Sequence, residues 1–169
     1  QRLFHHQRVG DGRGSTAGNL DLFRLFAEQA IRLARPDGAI GLLLPSAFHS
    51  NEGTTGIRRL FLENGLETCL SFENRAGIFD IDSRFRFALV VARRPGPALA
   101  LRCAFYLDAI GQVEDPDRLM TYDRDFIARA DPTHQTLLEL RGPSDQKIAR
   151  TLFAQPMSFG RWCADSGIR

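Results

Sequence analysis

The chain has 169 residues, which suits one domain or one domain with an appendage. Its 43% hydrophobic and 25% charged residues provide for a packed core, and no run approaches the ~18 apolar residues of a membrane span. A net charge of +2 is close to balance, so charge alone implies no nucleic-acid partner.

The basic residues are almost all arginine, with Lys147 the single lysine. Genomic base composition explains that bias as readily as phosphate binding does. Cys69, Cys103 and Cys163 lie far apart without a CxxC pair, which argues against a disulfide framework or a zinc site and makes the cytoplasm the default compartment. The N-terminal Gln1-Arg2-Leu3-Phe4-His5-His6 has no apolar stretch of a signal peptide and no Met start, as expected of a clipped chain.

In chain order, His5–Gly18 is rich in Gly and polar residues and reads as a loop. Asn19 is the expected helix cap, with Asp21 in the first turn. Leu22, Phe23, Phe26, Ala30, Ile31 and Leu33 recur at helical spacing and predict a helix over about 20–35, stopped by Pro36-Asp37-Gly38. Ala39–Leu44 is apolar without alternation and predicts a strand buried on both faces of a parallel sheet, ended by Pro45. A second helix runs through Ile57, Leu60 and Phe61 to the C-cap pair Asn64-Gly65. Strands follow at about 67–72 and 86–92. Arg93-Arg94-Pro95-Gly96-Pro97 marks a boundary, Leu101–Asp108 can form one more strand, and 111–135 is weakly periodic. Ser144 is the expected cap of a short helix ending before Pro156. Helix, strand, helix, strand, strand is half of an α/β sheet protein.

Most of the short motifs have ordinary explanations. Gly10, Gly12, Gly14 and Gly18 lack both the Lys of a P-loop and a preceding strand, so a loop is the better account. His5 and His6 have no carboxylate or Cys at ligand spacing. Ser46 and His49 lack the flanking glycines of a nucleophile elbow. They read as loop residues at the C-terminal edge of a sheet, where open α/β sheets bind ligands. The informative stretch is 71–87, which joins two strands and holds Phe72, Phe79, Phe85 and Phe87 with Arg75, Arg84 and Arg86. Core packing accounts for Phe72 and Phe87. Phe79 and Phe85 sit in a polar connection, where aromatics interleaved with arginine can stack on unpaired bases and hold phosphates.

Gly18-Asn19-Leu20-Asp21-Leu22-Phe23, Arg35-Pro36-Asp37-Gly38, Ile40–Phe48, Gly56–Leu60, Ile78-Phe79 and Phe85–Val91, in this order over roughly 18–94, resemble the gamma-class adenine-N6 DNA methyltransferases. The likeness is to the type IIG restriction–modification and BREX-like phage-defence enzymes in particular. It implies that residues 1–94 are the second half of a Rossmann-like, S-adenosylmethionine-dependent methyltransferase sheet. Residues 95–169 would then be a mixed linker and the start of a target-recognition region. The Asn-Pro-Pro-aromatic motif and the glycine-containing motif that binds most of the cofactor are absent, so no catalytic residue is assigned.

Position by position, the resemblance implies that Phe26 and Pro45 border the cofactor, that Ser46 sits beside the active-site cleft, and that Phe79 stacks on a flipped adenine. For Phe26 a place in the core serves equally well. Arg75, Arg84 and Arg86 are candidates for backbone contacts on their chemistry. The implied partners are double-stranded DNA and the missing N-terminal half of the domain. The alternative is a non-catalytic DNA-binding module derived from such an enzyme.

Overall fold

A computed structural model describes residues 21–155 apart from 95 and 99, together with 163 and 165–167. The expected 5–18 loop, the Asn19 cap, His5 and His6, Pro156 and Trp162 lie outside the described residues. The elements are α1 (Leu22–Leu33), β1 (Ala39–Pro45), the short α2 (Ala47–Ser50), α3 (Thr55–Glu63), β2 (Leu66–Glu73), β3 (Arg86–Arg93), β4 (Leu101–Leu107), β5 (Met120–Tyr122), α4 (Arg124–Ala130) and α5 (Pro143–Phe153).

The five strands form one mixed sheet in the order β1-β3-β2-β4-β5. β3 runs antiparallel to both β1 and β2, β2 and β4 are parallel, and β5 is antiparallel to β4. The 93–97 segment, expected as a boundary, therefore joins two strands of the same sheet. One face of the sheet carries the larger core. Ala88, Val90 and Ala92 of β3 and Leu101, Cys103 and Phe105 of β4 pack with Ala27 and Ile31 of α1, Ile57, Leu60 and Phe61 of α3, and Phe126 and Ile127 of α4. The other face holds a smaller cluster of Leu70, Phe72, Phe87, Ala104 and Leu107, against which Ile78 and Val113 pack. Each fully buried side chain of the Phe or Leu class contributes about 1.5–3 kcal/mol.

Three expectations need correction. β1 is not buried on both faces of a parallel sheet. It is an antiparallel edge strand whose burial alternates, with Ile40 and Leu44 inside and Leu43 55% exposed. A continuous apolar run can thus sit on a strand whose outer side has no neighbour among the described residues. Ser144 does not cap α5: Gly142 occupies the N-cap and Pro143 opens the helix, where its missing N–H costs nothing. The stretch 111–135 contains β5 and α4, the latter capped by Asp123, whose carboxylate accepts from the Phe126 N–H at 2.7 Å.

α1 starts at Leu22, and its apolar residues split between two stripes. Ala27 and Ile31 face the sheet, while Leu22, Phe26 and Leu33 are 70%, 70% and 72% exposed. Phe26 is therefore not part of the core that the described residues form. The C-cap expected at Asn64-Gly65 is present. Gly65 has φ +82°, and a Cβ there would stand 2.0 Å from the Arg93 carbonyl oxygen, so the turn admits only glycine.

Arg58 is fully buried on α3 and bonds to backbone carbonyls. It donates to Phe48 O at 2.8 Å and Asn51 O at 3.1 Å, and to His134 O at 2.7 Å and Gln135 O at 2.8 Å. Burial lowers its pKa to about 10, so it remains charged at neutrality. His49, also fully buried, donates or accepts at 3.0 Å with Ser71 Oγ through Nε2. Its Nδ1 lies 3.6 Å from Glu139, yet burial first, and then Arg58 and Arg86, lower the imidazole pKa to about 4. The neutral ring is the native form, and the approach to Glu139 is not an ion pair near neutral pH.

Two predictions follow from these buried groups. Arg58→Met leaves the His134 and Gln135 carbonyls without a donor and should destabilise the chain by about 3 kcal/mol or more, read from urea unfolding at pH 7. His49 binds a proton more readily unfolded (ordinary pKa 6.5) than folded (about 4), so stability should fall as pH drops from about 6.5 to 4. The loss should be on the order of 3 kcal/mol and smaller in His49→Gln, measured by urea unfolding across that range.

Candidate functional site

β1, β2 and β4 all point their C-terminal ends toward one edge of the sheet, where β3 begins. That follows from the strand directions, and it gathers side chains from four parts of the chain. Pro45 is paired with Phe87, the Ser46 N–H donates to Arg86 O at 3.1 Å, and Glu73 stands opposite Arg86 in the β2–β3 ladder. Between β2 and β3 the chain makes an excursion over 74–85 whose neck is closed by the Asn74 N–H donating to Phe85 O at 3.0 Å. Gly77 turns it with φ +69°.

Asn74 is fully buried at the base of this loop. Its side-chain amide donates to Phe79 O at 2.9 Å and Ile81 O at 3.0 Å, and its Oδ1 accepts from the Phe79 N–H at 2.9 Å. Around that hub the apolar side chains turn outward: Phe79, Ile81 and Phe85 are 41%, 51% and 53% exposed. Phe79 also ends a run of rings that begins in the core. Phe72 stacks on Phe87 at 5.3 Å, and Phe87 meets Phe79 edge-on at 5.0 Å.

Beside the loop, Glu73, Arg75, Ser83, Arg84 and Arg86 line a cleft of about 370 Å³. All three arginines are already paired with carboxylates. Arg75 Nε lies 2.8 Å from Glu73, and Arg86 lies 2.7 Å from the other oxygen of the same carboxylate. Arg84 meets Asp82 at 2.7 Å, and its hydrogen bonds hold that exposed carboxyl below its ordinary pKa. Such exposed pairs are weak, and a guanidinium has five N–H donors, so these groups keep capacity for another anion. The arrangement offers an exposed ring for a planar partner next to cations for its anionic attachments.

The expected residues thus fall into two places. Pro45, Ser46, Phe79, Arg75, Arg84 and Arg86 meet at one edge of the sheet, and Phe26 does not line the cleft. The sequence did not point to Glu73, which holds two of the arginines, or to Asn74. It gave no hint of Tyr106 and Glu139 either. Tyr106, at the β4 end, has the unusual φ of +58° and lies between the Arg86 and Arg141 guanidinium groups at 5.8 and 5.1 Å. Burial first, and then the neighbouring Glu139 carboxylate, raise the pKa of its hydroxyl, and that carboxylate also approaches Arg86 at 3.9 Å. Contacts separated by 20 residues and more leave no local trace. Among the described residues there is no His, Cys, Asp and Glu grouping that could hold a metal ion.

No protein-family model and no curated protein matches this sequence. Solved structures do. A chain of a type I restriction–modification complex superposes with TM-score 0.56 at 16% identity over 78% of this chain and 36% of that one. The type IIG restriction endonuclease BpuSI gives 0.54 at 14% identity over 82% and 18%. The M protein of the type I restriction enzyme EcoKI gives 0.56 at 13% identity over 80% and 42%. The chain thus spans well under half the length of each of these proteins. At such identities the likeness is one of fold: the chain has an α/β sheet of the kind found in restriction–modification methyltransferase proteins.

Proposed function

We propose that this chain forms the second half of the catalytic domain of a gamma-class DNA methyltransferase that modifies adenine N6, in a restriction–modification or BREX-like phage-defence system. Residues 1–94 belong to that domain in this reading. Within 95–169 the chain first adds β4 and β5 to the sheet and then leads toward a target-recognition region. The observation that carries the proposal is the 74–85 loop, which holds an exposed phenylalanine beside an arginine-lined cleft at the C-terminal edge of the sheet. The fold likeness to restriction–modification methyltransferase proteins supports it.

In this reading Phe79 stacks on an adenine turned out of the duplex, offsetting part of the few kcal/mol that extrusion costs. Arg75, Arg84 and Arg86 hold the flanking phosphates as Glu73 and Asp82 share or release them. Ser46 stands at the cleft margin. S-adenosylmethionine, when bound, supplies an electrophilic methyl group to the adenine amine. This chain fits it only in part: Phe26 on the outer face of α1 and Pro45 at the end of β1 offer apolar surface, and the polar groups that bind most of the cofactor belong to the missing half. The open side of β1 and the outer stripe Leu22, Phe26 and Leu33 are the surfaces that half would cover.

Methyl transfer from labelled S-adenosylmethionine to unmethylated DNA tests this reading, with the chain alone and with its upstream coding region joined to it. The expected result is activity in the extended protein only, with Phe79→Ala lowering kcat/KM about tenfold or more. DNA binding without methylation in either form would overturn the catalytic assignment in favour of a non-catalytic binding module.

A further inference from the structure

An exposed aromatic ring on a twelve-residue excursion is a poor stacking platform unless something fixes it. Each freely rotating residue must be ordered when the partner arrives, and that entropy is subtracted from the affinity. Phe79 is fixed twice. Its ring rests edge-on against Phe87 at 5.0 Å, and Phe87 is stacked on the core residue Phe72. Its backbone is held by a single side chain, because Asn74 accepts from the Phe79 N–H and donates to the Phe79 carbonyl, both at 2.9 Å. The same amide reaches Ile81 O at 3.0 Å, and the Asn74 N–H closes the neck of the loop on Phe85. Asn74 is itself wholly buried, so its donors and acceptor are committed to the loop rather than to solvent.

We propose that Asn74 is a positioning residue for base stacking: its side-chain amide fixes the Phe79 backbone so that the ring meets an unstacked base without first being ordered. This rests on the stacking role proposed above for Phe79. Asparagine is required by the chemistry. Aspartate lacks the N–H donors to the Phe79 and Ile81 carbonyls, and alanine or serine cannot span the same groups.

Two measurements on the 169-residue chain test it. The first is amide hydrogen exchange of the unmodified chain. The Phe79 amide should exchange far more slowly than its exposed neighbours in the loop, and exchange at the rate of an unstructured peptide would overturn the proposal. The second uses a single-stranded oligonucleotide carrying 2-aminopurine, a base already free to stack, whose fluorescence reports ring contact. Phe79→Ala should weaken binding about tenfold. Asn74→Ala and Asn74→Asp should approach that loss, and the Asn74→Ala/Phe79→Ala double variant should bind no more weakly than Phe79→Ala alone. If Phe79→Ala weakens binding but the Asn74 variants do not, or if the two losses add, the positioning role is overturned and the stacking role stands. If Phe79→Ala has no effect on a chain that still binds, the stacking reading itself fails, and this inference with it. The exchange measurement needs no variant, so an Asn74 variant that fails to fold leaves the proposal open to refutation.

Discussion

A positive charge at the centre of a protein is expensive, and Arg58 shows the terms on which this fold accepts one. Its guanidinium spreads its N–H groups over carbonyls from two distant segments, the α2 turn after β1 and the 131–135 turn after α4. Without those donors the carbonyls at His134 and Gln135 would lose their partner, whereas those at Phe48 and Asn51 would keep Thr54 as a donor. The two segments it joins then carry other groups toward the sheet edge. Leu137 N–H donates to His49 O at 3.0 Å, His49 bonds Ser71, and the segment that follows Leu137 places Glu139 against Arg86. The architecture of the cleft thus depends on a residue that does not line it.

Seen from the loop, the same logic recurs at smaller scale. Asn74 and Glu73 are neighbours in sequence with opposite tasks. One is buried and ties down backbone, while the other is half-buried and divides its two carboxylate oxygens between Arg75 and Arg86. Because β2 ends between them, the alternation of the strand sends Asn74 inward and leaves Glu73 at the cleft. A polyanion entering there meets guanidinium groups already oriented by a carboxylate, so their side-chain entropy has been spent before it arrives.

Much of this was legible in the sequence. Strands expected at 67–72 and 86–92 are found at 66–73 and 86–93, because a hydrophobic run between turn signals has few other solutions. Phe79 and Phe85 stood out as rings in a polar connection, and both are exposed. The failures share one cause. Whether Ala39–Leu44 has a neighbour on each side, and whether that neighbour runs parallel, depends on β3, some fifty residues further on. β5 has only three residues and no period to detect. The outward stripe of α1 could not be told from its inward one, since both repeat at helical spacing. Glu139 and Tyr106 reach the site only through tertiary packing.

The two cysteines of the sheet have a use that their inertness creates. Cys69 of β2 and Cys103 of β4 stand opposite each other in the parallel ladder, and both are fully buried. Burial pushes the Cys69 thiol up to about 12 and that of Cys103 well above its ordinary value, so neither forms a thiolate near neutral pH while the strands are closed. An alkylating reagent can reach them only when the middle of the sheet opens, whereas Cys163 is partly exposed in the closed protein. The chain therefore carries a built-in clock. The slow phase of its thiol labelling times the rupture of the β2–β4 seam, which among the described residues is the one place where the first six elements and the last four are joined by strand pairing.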